Sequence, residues 1–136
     1  NPENYHVIVS ENMFGDIVSD AFAGLIGGLG FATSAQFNPD SGVAVFEPTH
    51  GSAPKYADFE TSIVNPIAMI LSSVLMLEHL NENEIANRIR MATEAVVSEG
   101  KVRAYDMLKL KGTQDVVNQG AASTRQMADA IIAKLK

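Results

Sequence analysis

Apolar and polar positions alternate along this chain of 136 residues in two different rhythms. His6-Val7-Ile8-Val9 is a short β-branched run followed by polar residues, and it predicts a buried strand. From about Met13 to Ile26 the spacing becomes helical, with Phe14, Ile17, Val18, Ala21, Phe22, Leu25 and Ile26 recurring on one face. Glycines at 27, 28 and 30 bring that helix to its end. A turn around Asn38-Pro39-Asp40-Ser41-Gly42 leads into Val43-Ala44-Val45-Phe46, which predicts a second strand.

Asn65-Pro66 reads as an N-cap followed by proline at the first helical position. The helix it opens, to about Leu80, is apolar nearly all round and is expected to be buried on most sides. Asn81-Glu82-Asn83-Glu84 resembles a capping arrangement for a further helix that runs to Glu99 and stops at Gly100. No pattern dominates residues 101–120. Ser123 with Gln126 spells a capping box, and Met127, Ile131, Ile132 and Leu135 give the last helix its apolar stripe. Strands alternating with helices predict an α/β fold, a layered sheet flanked by helices. There is no internal repeat and no linker, so the chain is one domain or part of one. It begins without methionine, directly ahead of a strand-like run, as expected of part of a longer protein.

Composition narrows the chemistry. With no cysteine, disulfides, thiolate zinc sites and cysteine nucleophiles are excluded. A net charge of −6 disfavours nucleic acid and anionic membranes as partners. The few basic residues Lys101, Arg103, Lys109 and Lys111 cluster, as a solvated face or as a contact for a small anion. The longest apolar stretch, Ile67 to Leu77, is broken by Ser72 and Ser73, short of the roughly 20 residues that span a bilayer. Asn1 to Tyr5 lacks the basic start of a signal peptide. The expected setting is soluble, cytoplasmic or an organelle matrix.

Two segments carry candidate chemistry. Asp16 and Asp20, four residues apart, fall about 40° apart on one helix face. Two hard oxygen donors so placed suit Mg²⁺ or Mn²⁺, although solvated surface carboxylates give the same pattern. The segment Glu47-Pro48-Thr49-His50-Gly51-Ser52-Ala53-Pro54-Lys55-Tyr56 follows a strand end, where ligands bind in open α/β sheets. Gly51 and Ser52 allow close backbone approach and offer amide donors to an anion. His50 and Tyr56 add flat faces and Lys55 a positive charge; a plain surface turn is the alternative. His6 and His79 carry no assigned chemistry.

Read together, Glu11-Asn12-Met13-Phe14-Gly15-Asp16-Ile17-Val18-Ser19-Asp20 resembles the metal-binding segment of the β-decarboxylating dehydrogenases, the isocitrate and isopropylmalate dehydrogenase family. The run Phe46-Glu47-Pro48-Thr49-His50-Gly51-Ser52-Ala53-Pro54 resembles that family's cofactor loop, and Asn65-Pro66 with its helix matches in order and spacing. The resemblance covers essentially the whole chain, is weakest between about 107 and 120, and places the chain in the C-terminal part of the large domain.

That resemblance implies an NAD(P)-dependent enzyme acting on a 2-hydroxy acid with further carboxylates. Isocitrate is favoured, with isopropylmalate, homoisocitrate and tartrate as alternatives. It implies that Asp16 and Asp20 ligate Mg²⁺ or Mn²⁺, a Lewis acid for hydride transfer and for loss of the β-carboxylate as CO₂. His50, Gly51, Ser52, Ala53, Pro54 and Asn65 would hold the adenosine end of the dinucleotide, and Glu47 would lie near the nicotinamide. Lys55 and Tyr56 stand where NADP-preferring isocitrate enzymes place a Lys-Tyr pair on the 2′-phosphate. Tyr105 matches a tyrosine of the same site, and Lys109 replaces its arginine, keeping the charge without the bidentate fork. NADP is therefore expected over NAD. By the same resemblance, the acid/base residues and the substrate-gripping arginines lie upstream, and this segment alone does not turn over substrate. The family is dimeric, with the helix carrying Asp16 and Asp20 in the interface. A regulatory subunit without catalytic activity is the alternative of a different class.

Overall fold

The computed structural model describes residues 2–135, so Asn1 and Lys136 at the two ends lie outside the described residues. In chain order it contains α1 (Asn12–Ile26), β1 (Thr33–Phe37), β2 (Ala44–Pro48), α2 (Ile67–His79), α3 (Asn83–Glu99) and α4 (Thr124–Ile132), with short 3-10 turns at Pro2–Asn4, Pro54–Tyr56 and Gln114–Val117. The four predicted helices are all present, within a few residues of their expected ends.

The strongest local signals behave as their chemistry requires. At α4 the Ser123 hydroxyl accepts from the Gln126 amide at 3.2 Å, and the Gln126 side chain accepts from the Ser123 amide at 2.9 Å, completing the capping box. At α3 the chain leaves the helix through Gly100, at φ 60°. Its N-terminus departs from expectation: no side chain caps it, and Asn81 turns the chain instead with φ 64°. α2 opens where predicted, because the Asn65 side-chain oxygen accepts from the Ile67 amide at 3.1 Å. Within α2 the buried Ser72 donates to the Ala68 carbonyl at 2.8 Å, which satisfies its hydroxyl inside an apolar helix. Ile67, Ala68 and Val74 are buried, while Met69 and Met76 are exposed, so burial is less complete than the all-round pattern predicts.

The core lies among α2, α3 and α4, where Ile67, Ala92, Val96, Ala104, Met127 and Ile131 close on one another. Of the expected α4 stripe, Met127 and Ile131 are buried and Ile132 and Leu135 are not. A second cluster, Ile63, Val116 and Ala121, organises the irregular segment 101–120, with Tyr56, Phe59 and Tyr105 packed around it.

β1 and β2 form an antiparallel hairpin in the register Thr33↔Pro48 to Phe37↔Ala44. Its turn is held by the Asn38 side chain, which accepts from the Asp40 and Ser41 amides, each at 3.0 Å. β1 was not expected: Thr-Ser-Ala-Gln-Phe has little strand character, and its pairing comes from the turn and from β2. The hairpin packs on α2, and the rings of Phe37, Phe46 and His79 meet with centroids 5.4–5.7 Å apart.

The first predicted strand is absent. His6–Val9 forms no strand, and Val9 is 92% exposed. A strand exists only through a neighbouring ladder, and among the described residues β1 and β2 pair only with each other. α1 has a related character: its apolar side chains Phe14, Ile17, Phe22 and Leu25 are exposed, and Ala23 is its one buried residue.

Ile67, fully buried where α2 meets the core, tests this packing. Ile67→Ala in the full-length protein should lower unfolding stability by about 3 kcal/mol in urea titration. A loss under about 1 kcal/mol would contradict the packing described.

Candidate functional site

Two clefts meet at the segment following β2. The first, of about 410 Å³, lies between α1 and the hairpin. α1 contributes Asp16, Ser19 and Asp20 to one wall; β1 and β2 contribute Ser34, Gln36 and Glu47 to the other. The helical spacing delivers both aspartates to one side, and Ser19 spends its hydroxyl on the Asp16 carbonyl at 3.0 Å. Gln36 donates to the Glu47 carboxylate at 2.9 Å, which fixes that group on the opposite wall. Thr49, His50 and Gly51 close the end. The Thr49 hydroxyl is buried and has no hydrogen-bond partner among the described residues.

Asp16 and Asp20 are hard oxygen donors, and the cleft they line is polar, which fits Mg²⁺ or Mn²⁺. Among the described residues no group of three or more His, Cys, Asp or Glu gathers in metal-binding geometry. Were such an ion bound there, Asp16 and Asp20 would supply two carboxylates, and its other positions would fall to water, ligand oxygens or another chain.

The second cleft, of about 490 Å³, is more apolar and lies on the other side of His50 and Gly51. Gly28, Leu29 and Gly30 line one side, with Ala53, Tyr56, Val64, Asn65, Tyr105 and Asp106 around them. Ala53 takes the left-handed conformation, φ 44°, and this bend starts the 3-10 turn Pro54–Tyr56 that directs Tyr56 to the cleft. Asn65, 3% exposed, is oriented from both ends. Its oxygen accepts from the Ile67 amide, and its NH₂ donates to Asp106 Oδ2 at 3.1 Å. Asp106 also accepts from the Met107 amide at 3.0 Å.

The two phenols sit together, with Tyr105 donating to the Tyr56 oxygen at 3.3 Å. That donated hydrogen bond lowers the Tyr56 pKa, partial burial opposes the effect, and Lys55 adds to it. The Lys55 ammonium stands 4.7 Å from the centre of the Tyr56 ring. Burial raises the Tyr105 pKa, and its hydrogen bond to Tyr56 raises it further.

The structure thus gathers most of the residues singled out in the sequence. His50, Gly51, Ala53, Tyr56, Asn65 and Tyr105 surround the second cleft, and Asp16, Asp20 and Glu47 share the first with His50 and Gly51. Ser52, Pro54, Lys55 and Lys109 are exposed and line neither cleft. Sequence reasoning missed Asp106, Gly30 and Thr49. Asp106 adjoins Tyr105 in a stretch with no periodicity, and its partner Asn65 lies 41 positions away, beyond any local signal.

A family model described as isocitrate/isopropylmalate dehydrogenase matches residues 1–131. The chain belongs to the isocitrate/isopropylmalate dehydrogenase family. It is 43% identical over 136 residues to the NADP isocitrate dehydrogenase of Staphylococcus aureus strain Mu50, covering 99% of this chain and 30% of that protein. It is 50% identical over 101 residues to the 3-isopropylmalate dehydrogenase of Methanothermobacter thermautotrophicus, covering 74% of this chain and 30% of the relative. A solved structure of the TT0538 protein from Thermus thermophilus superposes with a TM-score of 0.84 at 44% identity, covering 98% of this chain and 25% of that one. The α/β class expected from the alternating pattern is therefore that of the family. The chain spans under a third of the length of these relatives.

The acidic cleft carries its own test. In the full-length protein, Asp20→Asn should weaken Mn²⁺ binding at least tenfold in isothermal titration, since it removes a charged oxygen donor from a hard-cation site. Unaltered affinity would remove Asp20 from the site.

Proposed function

We propose that this chain is the metal- and dinucleotide-binding part of an enzyme that oxidatively decarboxylates a 2-hydroxy polycarboxylic acid, isocitrate in the favoured reading, with hydride transfer to NADP. The observation that carries it is the pair of clefts sharing His50 and Gly51 as a common wall. A dinucleotide needs an apolar pocket for its adenosine and, a short distance away, a polar one where its nicotinamide meets substrate.

Asp16 and Asp20 would hold Mg²⁺ or Mn²⁺, which when bound supplies Lewis-acid stabilisation to negative charge developing on the substrate. The chain's own groups have distinct tasks. Glu47, held by Gln36, keeps a fixed charge opposite the aspartates. Gly51 lines both clefts, and a Cβ there would meet nothing within 4 Å. Asn65, Ala53 and His50 form the adenosine seat, and at its rim Tyr105 donates to Tyr56, whose own hydroxyl is left as the phenolic donor. Lys55 adds positive charge beside Tyr56. Cationic and phenolic donors suit a 2′-phosphate, whereas a free 2′-hydroxyl favours a carboxylate acceptor.

Isopropylmalate, homoisocitrate and tartrate remain the alternative substrates and NAD the alternative coenzyme; the 3-isopropylmalate dehydrogenase relative keeps the first of these in view. A regulatory subunit is disfavoured, because both aspartates and the His-Gly-Ser-Ala-Pro segment are intact. A homodimer is proposed from the exposed apolar face of α1. No helix among the described residues is long and apolar enough to cross a membrane, and a cytoplasmic or matrix enzyme is the proposed setting.

The test is coenzyme choice. In the full-length enzyme Lys55→Asp should swing the ratio of kcat/KM for NADP over NAD toward NAD by at least tenfold, about 1.4 kcal/mol. A wild-type enzyme already strongly selective for NAD would contradict the reading of Lys55 and Tyr56.

A further inference from the structure

Gly112 lies in the irregular segment after Tyr105, and its backbone does not explain why it is glycine, because its φ is not in the left-handed region. What excludes a side chain there is Tyr56. A Cβ at position 112 would overlap the Tyr56 hydroxyl and stand 2.8 Å from Cζ and 2.9 Å from Cε1 of the ring. Carbon atoms in van der Waals contact are about 3.5–4.0 Å apart, so one group must move.

Neither group moves freely. The Tyr56 ring is met edge-on by Phe59, with centroids 5.5 Å apart, and at a tilt by Tyr105, with centroids 6.0 Å apart. The backbone around Gly112 is anchored by Leu108, Leu110 and Val117, which pack on the same cluster of Ile63, Val116 and Ala121 that Tyr56 leans against. The Tyr56 hydroxyl therefore occupies a seat made by a bare backbone on one side and the Tyr105 hydroxyl on the other. Because Tyr105 donates to the Tyr56 oxygen, the Tyr56 proton is left to donate to an incoming acceptor.

We propose that Gly112 is a specificity-determining position: the absence of a side chain there seats the Tyr56 hydroxyl at the dinucleotide cleft, and coenzyme choice depends on Gly112 through Tyr56. This rests on the reading that Lys55 and Tyr56 face the 2′-phosphate. Gly112 touches no ligand, so it acts as a positioning residue. A methyl group at 112 displaces the ring and weakens the phosphate contact, while the contacts common to NAD and NADP are kept.

The experiment is steady-state kinetics of the full-length enzyme with both coenzymes, for the wild type, Gly112→Ala, Tyr56→Ala and the double variant. Gly112→Ala should raise KM for NADP about fivefold or more, with kcat and the KM for NAD changed less than about twofold. On the Tyr56→Ala background, where nothing remains to displace, the same substitution should change KM for NADP less than about twofold. An unchanged KM for NADP in Gly112→Ala, or an equal rise for both coenzymes, overturns the proposal. So does an undiminished effect on the Tyr56→Ala background. If Tyr56→Ala itself leaves the NADP-to-NAD ratio unmoved, the phosphate reading falls and this proposal with it. If Tyr56→Ala shifts the ratio and Gly112→Ala does not, only the role of Gly112 falls. Should Gly112→Ala not fold, a double variant that folds supports the clash, and one that does not fold overturns it.

Discussion

The Asn65 carboxamide ties the start of α2 to Asp106, 41 positions further along the chain. Its oxygen starts α2 by accepting from the Ile67 amide, and its NH₂ reaches Asp106 beyond α3. Gly30 completes the junction. A side chain there would collide with the Asp106 carboxylate and lie 3.0 Å from the Asn65 nitrogen, and the Gly30 carbonyl accepts from the Ala68 amide at 2.9 Å. Removing the carboxamide would leave a part-buried carboxylate without its side-chain donor and the first turn of α2 without its cap. Each loss costs on the order of 1 kcal/mol or more. The second cleft is therefore built on the same bonds that start α2 and join it to the segment after α3.

A second tie comes from the C-terminal end. Thr124, at the start of α4, donates its amide to the Ser62 carbonyl at 2.9 Å and its hydroxyl to the Val64 carbonyl. The residues just before Asn65 are thus clamped to a helix that closes the core with Met127 and Ile131. The acidic cleft is built differently. Its aspartates ride on α1, which buries only Ala23 within this chain, so their placement depends on whatever covers the apolar side of that helix. In the proposed enzyme a second subunit would cover it, and metal binding would then depend on the assembly.

What could be read in the sequence follows from how local each determinant is. The capping box of α4, the glycine stop of α3 and the Asn65 start of α2 are fixed by residues within four positions of one another, and all three appear where expected. The carboxylate pair of α1 is equally local, and the Glu47–Tyr56 run was visible as a continuous motif. Pairing is not local. Val7, Ile8 and Val9 have strand chemistry without a ladder partner among the described residues, whereas Thr33–Phe37 has little strand chemistry and pairs through its turn. Asp106 and Gly112 were silent for the same reason: each matters through a side chain tens of residues away, Asn65 for one and Tyr56 for the other.

In the proposed enzyme one dinucleotide would span both clefts, with its nicotinamide end toward Asp16 and Asp20 and its adenine beside Asn65. Paramagnetic relaxation in the full-length protein tests it directly, with Mn²⁺ bound and NADP observed by proton NMR. The expected result is strong, Mn²⁺-dependent relaxation of the nicotinamide protons, much weaker relaxation of the adenine protons, and loss of both effects in Asp20→Asn. Adenine protons relaxed as strongly as the nicotinamide protons, or neither affected by bound Mn²⁺, would contradict it.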